Sequence, residues 1–138
     1  MAANKVFWDT NVLIDFLLAR PHDLHETAAI FDEACYNHLQ LYTAESAITT
    51  AVYVCRNAPV DEAILTFLDF ATILPTTNTI VIDALRSGFT DKEDAILYHL
   101  ALHHRIEVFI TRDKKHFSRH AVSSLPVMSA KEFMKSWE

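Results

Sequence analysis

The sequence predicts an α/β fold of three layers, α/β/α, around a central, mainly parallel sheet of four to five strands, formed as one domain over residues 1–138. Three observations predict it. Short apolar runs alternate with helical stretches of about 10–15 residues, the pattern of right-handed βαβ crossovers that leave a parallel sheet covered on both faces. The length suits one domain, which buries roughly two thirds of its unfolded surface and needs no staple. The hydrophobic share, 51% beside 22% charged residues, is that of an ordinary globule with a small apolar surplus that suits an oligomer face.

The elements follow in order. Lys5 to Trp8 is an apolar strand ending at Asp9, and Thr10-Asn11 opens a helix through Val12, Leu13, Phe16 and Leu17 that Pro21 stops. Residues 25–38 carry Ala28, Ala29, Phe31, Ala34 and Cys35 near the 3.6 spacing of a second helix. Residues 39–43 alternate as a strand, and Glu45 follows at the start of a helix running to about Arg56. A fourth helix is expected over 61–71 and a short strand over 72–75, closed by Pro75. Residues 78–87 carry β-branched Thr79, Ile80, Val81 and Ile82, yet Gly88 stands where a helix C′ glycine would, so a helix is expected. Thr90 to Glu93 has the form of a capping box, with the hydroxyl at the N-cap and the glutamate at N3, opening a nearly all-apolar and therefore buried helix. Residues 105–111 form the next strand, 118–125 a loop carrying Arg119 and His120, and 126–129 a short last strand. Ser129 to Glu132 is a second capping box, opening a helix that ends near Trp137.

Composition excludes several functions. A single glycine, Gly88, cannot build a phosphate-cradling glycine-rich loop, so nucleotide-cofactor chemistry of the Walker or Rossmann kind is excluded. Cys35 and Cys55 have no CxxC or Cys/His partner spacing and are expected to be reduced packing residues. No apolar run reaches the roughly 18 residues of a membrane span and no signal peptide opens the chain, so a cytoplasmic protein with no membrane partner is expected. The formal charge of −6 argues against a chain that grips nucleic acid by global electrostatics. Setting aside Asp9, Glu45, Asp91, Asp94 and Asp113 leaves it nearly neutral, and bound divalent cations would reverse the local sign.

Those acids carry the functional expectation. Each alone has an ordinary role as helix cap, first-turn acid or turn residue. Asp94 is the least ordinary, because it shares a helix face with Leu97, Tyr98 and Ala101, where a carboxylate is either desolvated or finds a cation. Asp9, Glu45 and Asp113 each follow an expected strand, with Thr111 and Asp113 facing outward at the strand tip, and Asp94 enters from the same edge. In an open α/β sheet all four would converge at the carboxyl edge. Two unit charges about 4 Å apart repel by roughly 4 kcal/mol at an effective dielectric near 20. A purely oxygen donor set of this kind selects a hard ion, Mg²⁺ or Mn²⁺, and suits phosphodiester hydrolysis by metal-activated water.

Asp9-Thr10-Asn11 after a strand, Glu45 opening a helix, Lys92-Glu93-Asp94-Ala95 opening a late helix, and Thr111-Arg112-Asp113 with Lys115-His116-Phe117 after a strand resemble the PIN domain. Within it, they resemble the small VapC-like toxins of toxin–antitoxin pairs, over essentially the whole chain. The resemblance implies a Mg²⁺- or Mn²⁺-dependent endoribonuclease acting on RNA, a homodimer, and a cognate VapB-like antitoxin that blocks the acidic groove. Carried over by position, it places the metal-binding and catalytic acids at Asp9, Glu45, Asp94 and Asp113, with Asp91, Thr111 and Asn11 as accessory residues. Lys114, Lys115, His116 and Arg119, beside the mouth, are the expected RNA-phosphate contacts. Two other readings stand beside this one. A PIN-like fold can serve as a catalytically silent scaffold or dimerisation module whose acids merely cap helices. A haloacid-dehalogenase-like phosphatase also begins strand-Asp, but wants a second aspartate where this chain has Asn11.

Overall fold

Why Trp8 and Phe7 sit side by side in one strand is clear from where their rings go. Successive strand residues face opposite sides of a sheet, and in the computed structural model, which describes residues 4–137, each ring anchors one apolar layer. Trp8 packs on Phe16 and Phe67, with ring centroids 5.2 and 5.6 Å away. Phe7 stacks on Phe109 at 5.3 Å, and Phe109 continues to Tyr98 and Phe117. One strand thus divides the core in two.

The elements run β1 (Lys5–Trp8), α1 (Thr10–Leu17), α2 (Leu24–Cys35), β2 (Gln40–Ala44), α3 (Glu45–Val54), α4 (Asp61–Leu68) and β3 (Ala71–Leu74). They continue with α5 (Asn78–Arg86), α6 (Lys92–His103), β4 (Val108–Ile110), α7 (Lys114–Ser118), β5 (Val127–Met128) and α8 (Ala130–Ser136). The five strands form one sheet in the order β3-β2-β1-β4-β5, and every pair is parallel. Helices α1, α2, α3 and α8 pack together, as do α5, α6 and α7, giving the three layers that the alternation of apolar runs predicts. Among the described residues no helix is long and apolar enough to cross a membrane.

Strand order positions the site. From β1 the chain steps outward to β2 and β3, then crosses back to place β4 on the other side of β1. The connections leaving β1 and β4 therefore turn to opposite faces, and a crevice opens at the carboxyl ends of these two strands. Asp9 ends one of them and Thr111 to Asp113 the other.

Three local expectations are corrected. Helix α6 is capped by Asp91, whose side chain accepts from the Asp94 amide at 3.0 Å, and not by Thr90. A carboxylate is favoured over a threonine hydroxyl at the positive end of the helix dipole. Helix α5 ends at Ser87 in extended conformation, and Gly88 has no positive φ, so it is not a left-handed C′ glycine. The strand expected from Arg105 is only Val108–Ile110, because Arg105, at φ 58°, takes the left-handed turn that closes α6. The second capping box forms as predicted, Ser129 and Glu132 bonding each other's backbone at 3.1 and 2.9 Å.

Candidate active site

Asp9 is 4% exposed, yet it is a carboxylate. Its backbone amide extends the β1–β4 ladder by donating to the Ile110 carbonyl at 2.9 Å, which holds its side chain at the mouth of the crevice. One carboxylate oxygen accepts from the Thr10 amide at 2.8 Å, capping α1. The other accepts from the Thr111 hydroxyl at 2.8 Å. That hydroxyl in turn accepts from the Asp113 amide at 3.0 Å. Thr111 is thus wholly buried, where the sequence places it facing outward, because its oxygen joins the two acids across 102 residues of chain.

Asp94 enters from α6 and His116 from α7. The His116 Nδ1 lies 2.8 Å from Asp113 and 3.8 Å from Asp94, so the imidazole sits between the two carboxylates. Burial, followed by the charges of Asp9 and Asp91, raises the Asp94 carboxyl from 3.8 to about 7, against the pull of His116. Burial also raises Asp9 to about 6, with Asp113 and Glu93 adding to it and the bonds from Thr111 and Thr10 opposing. The two carboxyls hold protons toward neutral pH because burial penalises their charged forms first and the neighbouring acids add to it.

The convergence expected of four acids is partial. Asp9, Asp94 and Asp113 act on one another, joined by Asp91. Glu45 does not figure among the charges acting on Asp9 or Asp94, and it is exposed in the first turn of α3. It follows β2, the parallel neighbour of β1 on the side opposite β4, and so leaves the sheet at the same carboxyl edge as Asp9. Among the described residues, no three Asp, Glu, His or Cys side chains are drawn tightly enough to enclose an ion as they stand. Asn11 is exposed on the first turn of α1.

The cations divide. Lys114 is tied to Glu132 of α8 at 2.8 Å. Lys115, His116 and Arg119 line a cavity beside the acids. Sequence reasoning missed Asp15 and Arg112. Asp15 is 3% exposed on α1, and Arg112, lying between Thr111 and Asp113, reaches it at 3.0 Å, with Arg20 at 3.3 Å. The signal available was an aspartate inside the apolar pattern of α1.

A PIN domain family model matches residues 5–115, most of the chain and most of the residues just described, His116, Arg119 and Glu132 lying beyond it. The chain belongs to the PIN domain family. This is a family of nucleases, which generally use divalent metals. Among solved structures, the PIN fold of this chain is similar to a toxin–antitoxin complex from Klebsiella pneumoniae, with a TM-score of 0.69 and 21% identity over 91% of this chain and 97% of that one. It is also similar to VapBC2 from Rickettsia felis bound to a DNA fragment from their promoter, with a TM-score of 0.67 and 12% identity over 90% and 97%. No curated protein matches the chain.

Proposed function

We propose that this PIN domain is the toxin of a VapBC-type toxin–antitoxin pair, a Mg²⁺- or Mn²⁺-dependent endoribonuclease that hydrolyses RNA phosphodiesters in the cytoplasm. The observation that carries the reading is the buried Asp9 joined through the Thr111 hydroxyl to Asp113, with Asp94 facing both. Helix caps alone do not require this arrangement. A cluster of carboxylates holding protons up to about 6 and about 7, with one imidazole beside it, fits a hard divalent cation held by the oxygens, which relieves the repulsion that burial amplifies.

Asp9 and Asp94 would hold the ion directly, Asp113 would complete the site, and Asp91 would support it as the cap that fixes the start of α6. When bound, the metal supplies an activated water and stabilises the developing charge on the phosphate. Thr111 fixes the orientation of Asp9 and Asp113 by its two hydrogen bonds. His116 lies between Asp94 and Asp113, its Nδ1 3.8 and 2.8 Å from their carboxylates, and orients the two acids. Glu45 and Asn11, at the outer edge of the carboxyl face, act through water or on the substrate. Lys115 and Arg119 take backbone phosphates.

The partner side of the proposal rests on exposed apolar residues. Tyr36, Val52, Tyr53 and Val54, on α3 and the end of α2, are 72%, 48%, 68% and 44% exposed, a surface fit for a second copy or for a VapB-like antitoxin. Incubating the purified chain with a single-stranded RNA and Mg²⁺ or Mn²⁺ tests the activity. Cleavage is expected, to be abolished by EDTA and by Asp94→Asn. Cleavage that persists in that variant would refute the assignment.

A further inference from the structure

Four arginines and lysines that lie between residues 112 and 119 are not equivalent. Arg112 is tied to Asp15 and Lys114 to Glu132. Lys115 and Arg119 make no ion pair among the described residues, and both line a cavity of about 520 Å³ together with Thr90, Asp91, His116 and His120. That volume lies within the range of small-molecule sites. His116 and Asp91 are shared with the acidic crevice, so the cavity opens directly beside it.

Its wall is fixed in an unusual way. His120 packs on Phe89 in a tilted arrangement, centroids 4.6 Å apart at 34°. Its edge lies against Gly88, where a Cβ would stand 3.1 Å from the imidazole Cε1, closer than side chains ordinarily tolerate. The one glycine of the chain is therefore used for a close approach and not for a backbone turn. Phe89 itself is buried against Tyr98 and Phe117, so the imidazole rests on the core. What remains of it is presented to the cavity.

An aromatic ring backed by the core, beside two cations without ion pairs among the described residues, is the combination that binds single-stranded nucleic acid: the ring stacks a base and the cations take the backbone. We propose that this cavity is a subsite for one nucleotide of single-stranded RNA flanking the scissile phosphate, its base stacked on His120 and its phosphate held by Lys115 and Arg119. The proposal rests on the ribonuclease reading for its substrate and extends it by naming where the strand is held and by what. A duplex cannot enter, because the base must leave its stack to reach His120.

The test uses the full-length Asp94→Asn chain without metal, so that binding is read apart from cleavage. A short fluorescent RNA oligonucleotide is titrated in and followed by anisotropy. Adding His120→Ala is expected to weaken binding about tenfold, from the loss of one stacked base, with no change in salt dependence, while His120→Phe restores it. Lys115→Ala with Arg119→Ala is expected to weaken binding and to flatten the slope of log affinity against log salt by about one. An oligonucleotide with an abasic residue at the stacked position should bind equally well whether or not the chain carries His120→Ala. Equal affinity of the His120→Ala chain and its parent for intact RNA, or binding of a duplex as tight as that of a single strand, overturns the subsite. Failure of the metal-loaded wild-type chain to cleave RNA would instead overturn the nuclease reading and leave the binding result standing.

Discussion

Thr111 shows what one side chain contributes. Its hydroxyl donates to the Asp9 carboxylate and accepts from the Asp113 amide, so removing it loosens one acid and the backbone that carries the other. Arg112 does the complementary work: while residues 111 and 113 face the crevice, its guanidinium reaches the buried Asp15 and pins the strand tip to α1. Removing Arg112 leaves Asp15 with Arg20 alone, and unpairing a buried charge costs up to about 3–5 kcal/mol, less where partners are half exposed as here. Arg112→Met is therefore expected to lower the unfolding free energy by about 1–2 kcal/mol in urea titration. It should also reduce kcat for RNA cleavage more than it raises KM, since the tip that carries Asp113 loosens. An Arg112→Met chain as stable as the wild type would show the pair to be idle. The acids themselves were legible in the sequence because each follows a strand or opens a helix. The pair of Asp15 and Arg112 was not, since it joins residues 97 positions apart and neither stands at an element boundary alone.

At the level of elements, the start of α6 decides how Asp94 is aimed. The capping residue is Asp91, and its bond goes to the Asp94 amide itself, so the cap and the candidate ligand form one turn. Asp91→Ala is expected to cost about 1 kcal/mol of stability, whereas Thr90→Ala should change it by a few tenths at most, because the Thr90 hydroxyl does not cap the helix. Urea unfolding of the two variants separates the cases, and an equal loss in both would restore the threonine to the cap. The capping-box spacing pointed to Thr90 alone, and spacing does not weigh a hydroxyl against the carboxylate that stands next to it. The box at Ser129 had no competing acid beside it and was read correctly. Gly88 was misread for a similar reason: helix-end position suggests a left-handed glycine, while the actual demand comes from the distant His120.

For the whole molecule, the alternation of strands and helices was enough to read a mainly parallel, three-layer fold, but not the order of its strands, and the order sets which strand ends flank the crevice. The crevice stores unfavourable charge, and that makes stability depend on pH in a definite direction. In the folded chain Asp9 and Asp94 hold protons up to about 6 and about 7, whereas in the unfolded chain both release them near 3.8. The folded state therefore binds more protons throughout this interval, and its stability falls as pH rises from about 4 to about 7, levelling off above. A divalent cation needs both carboxylates ionised, so it competes with those protons and restores more stability at high pH than at low. Melting curves at about pH 5.5 and about pH 8, with and without Mn²⁺, check this. Without the ion, the midpoint is expected to be lower at the higher pH through these two groups, and the gain on adding Mn²⁺ to be larger there. Asp94→Asn removes one of the opposed charges, so its metal-free midpoint at the higher pH should exceed that of the wild type and its Mn²⁺ gain should vanish. A variant that gains as much from Mn²⁺ as the wild type would place the ion elsewhere, and with it the chemistry.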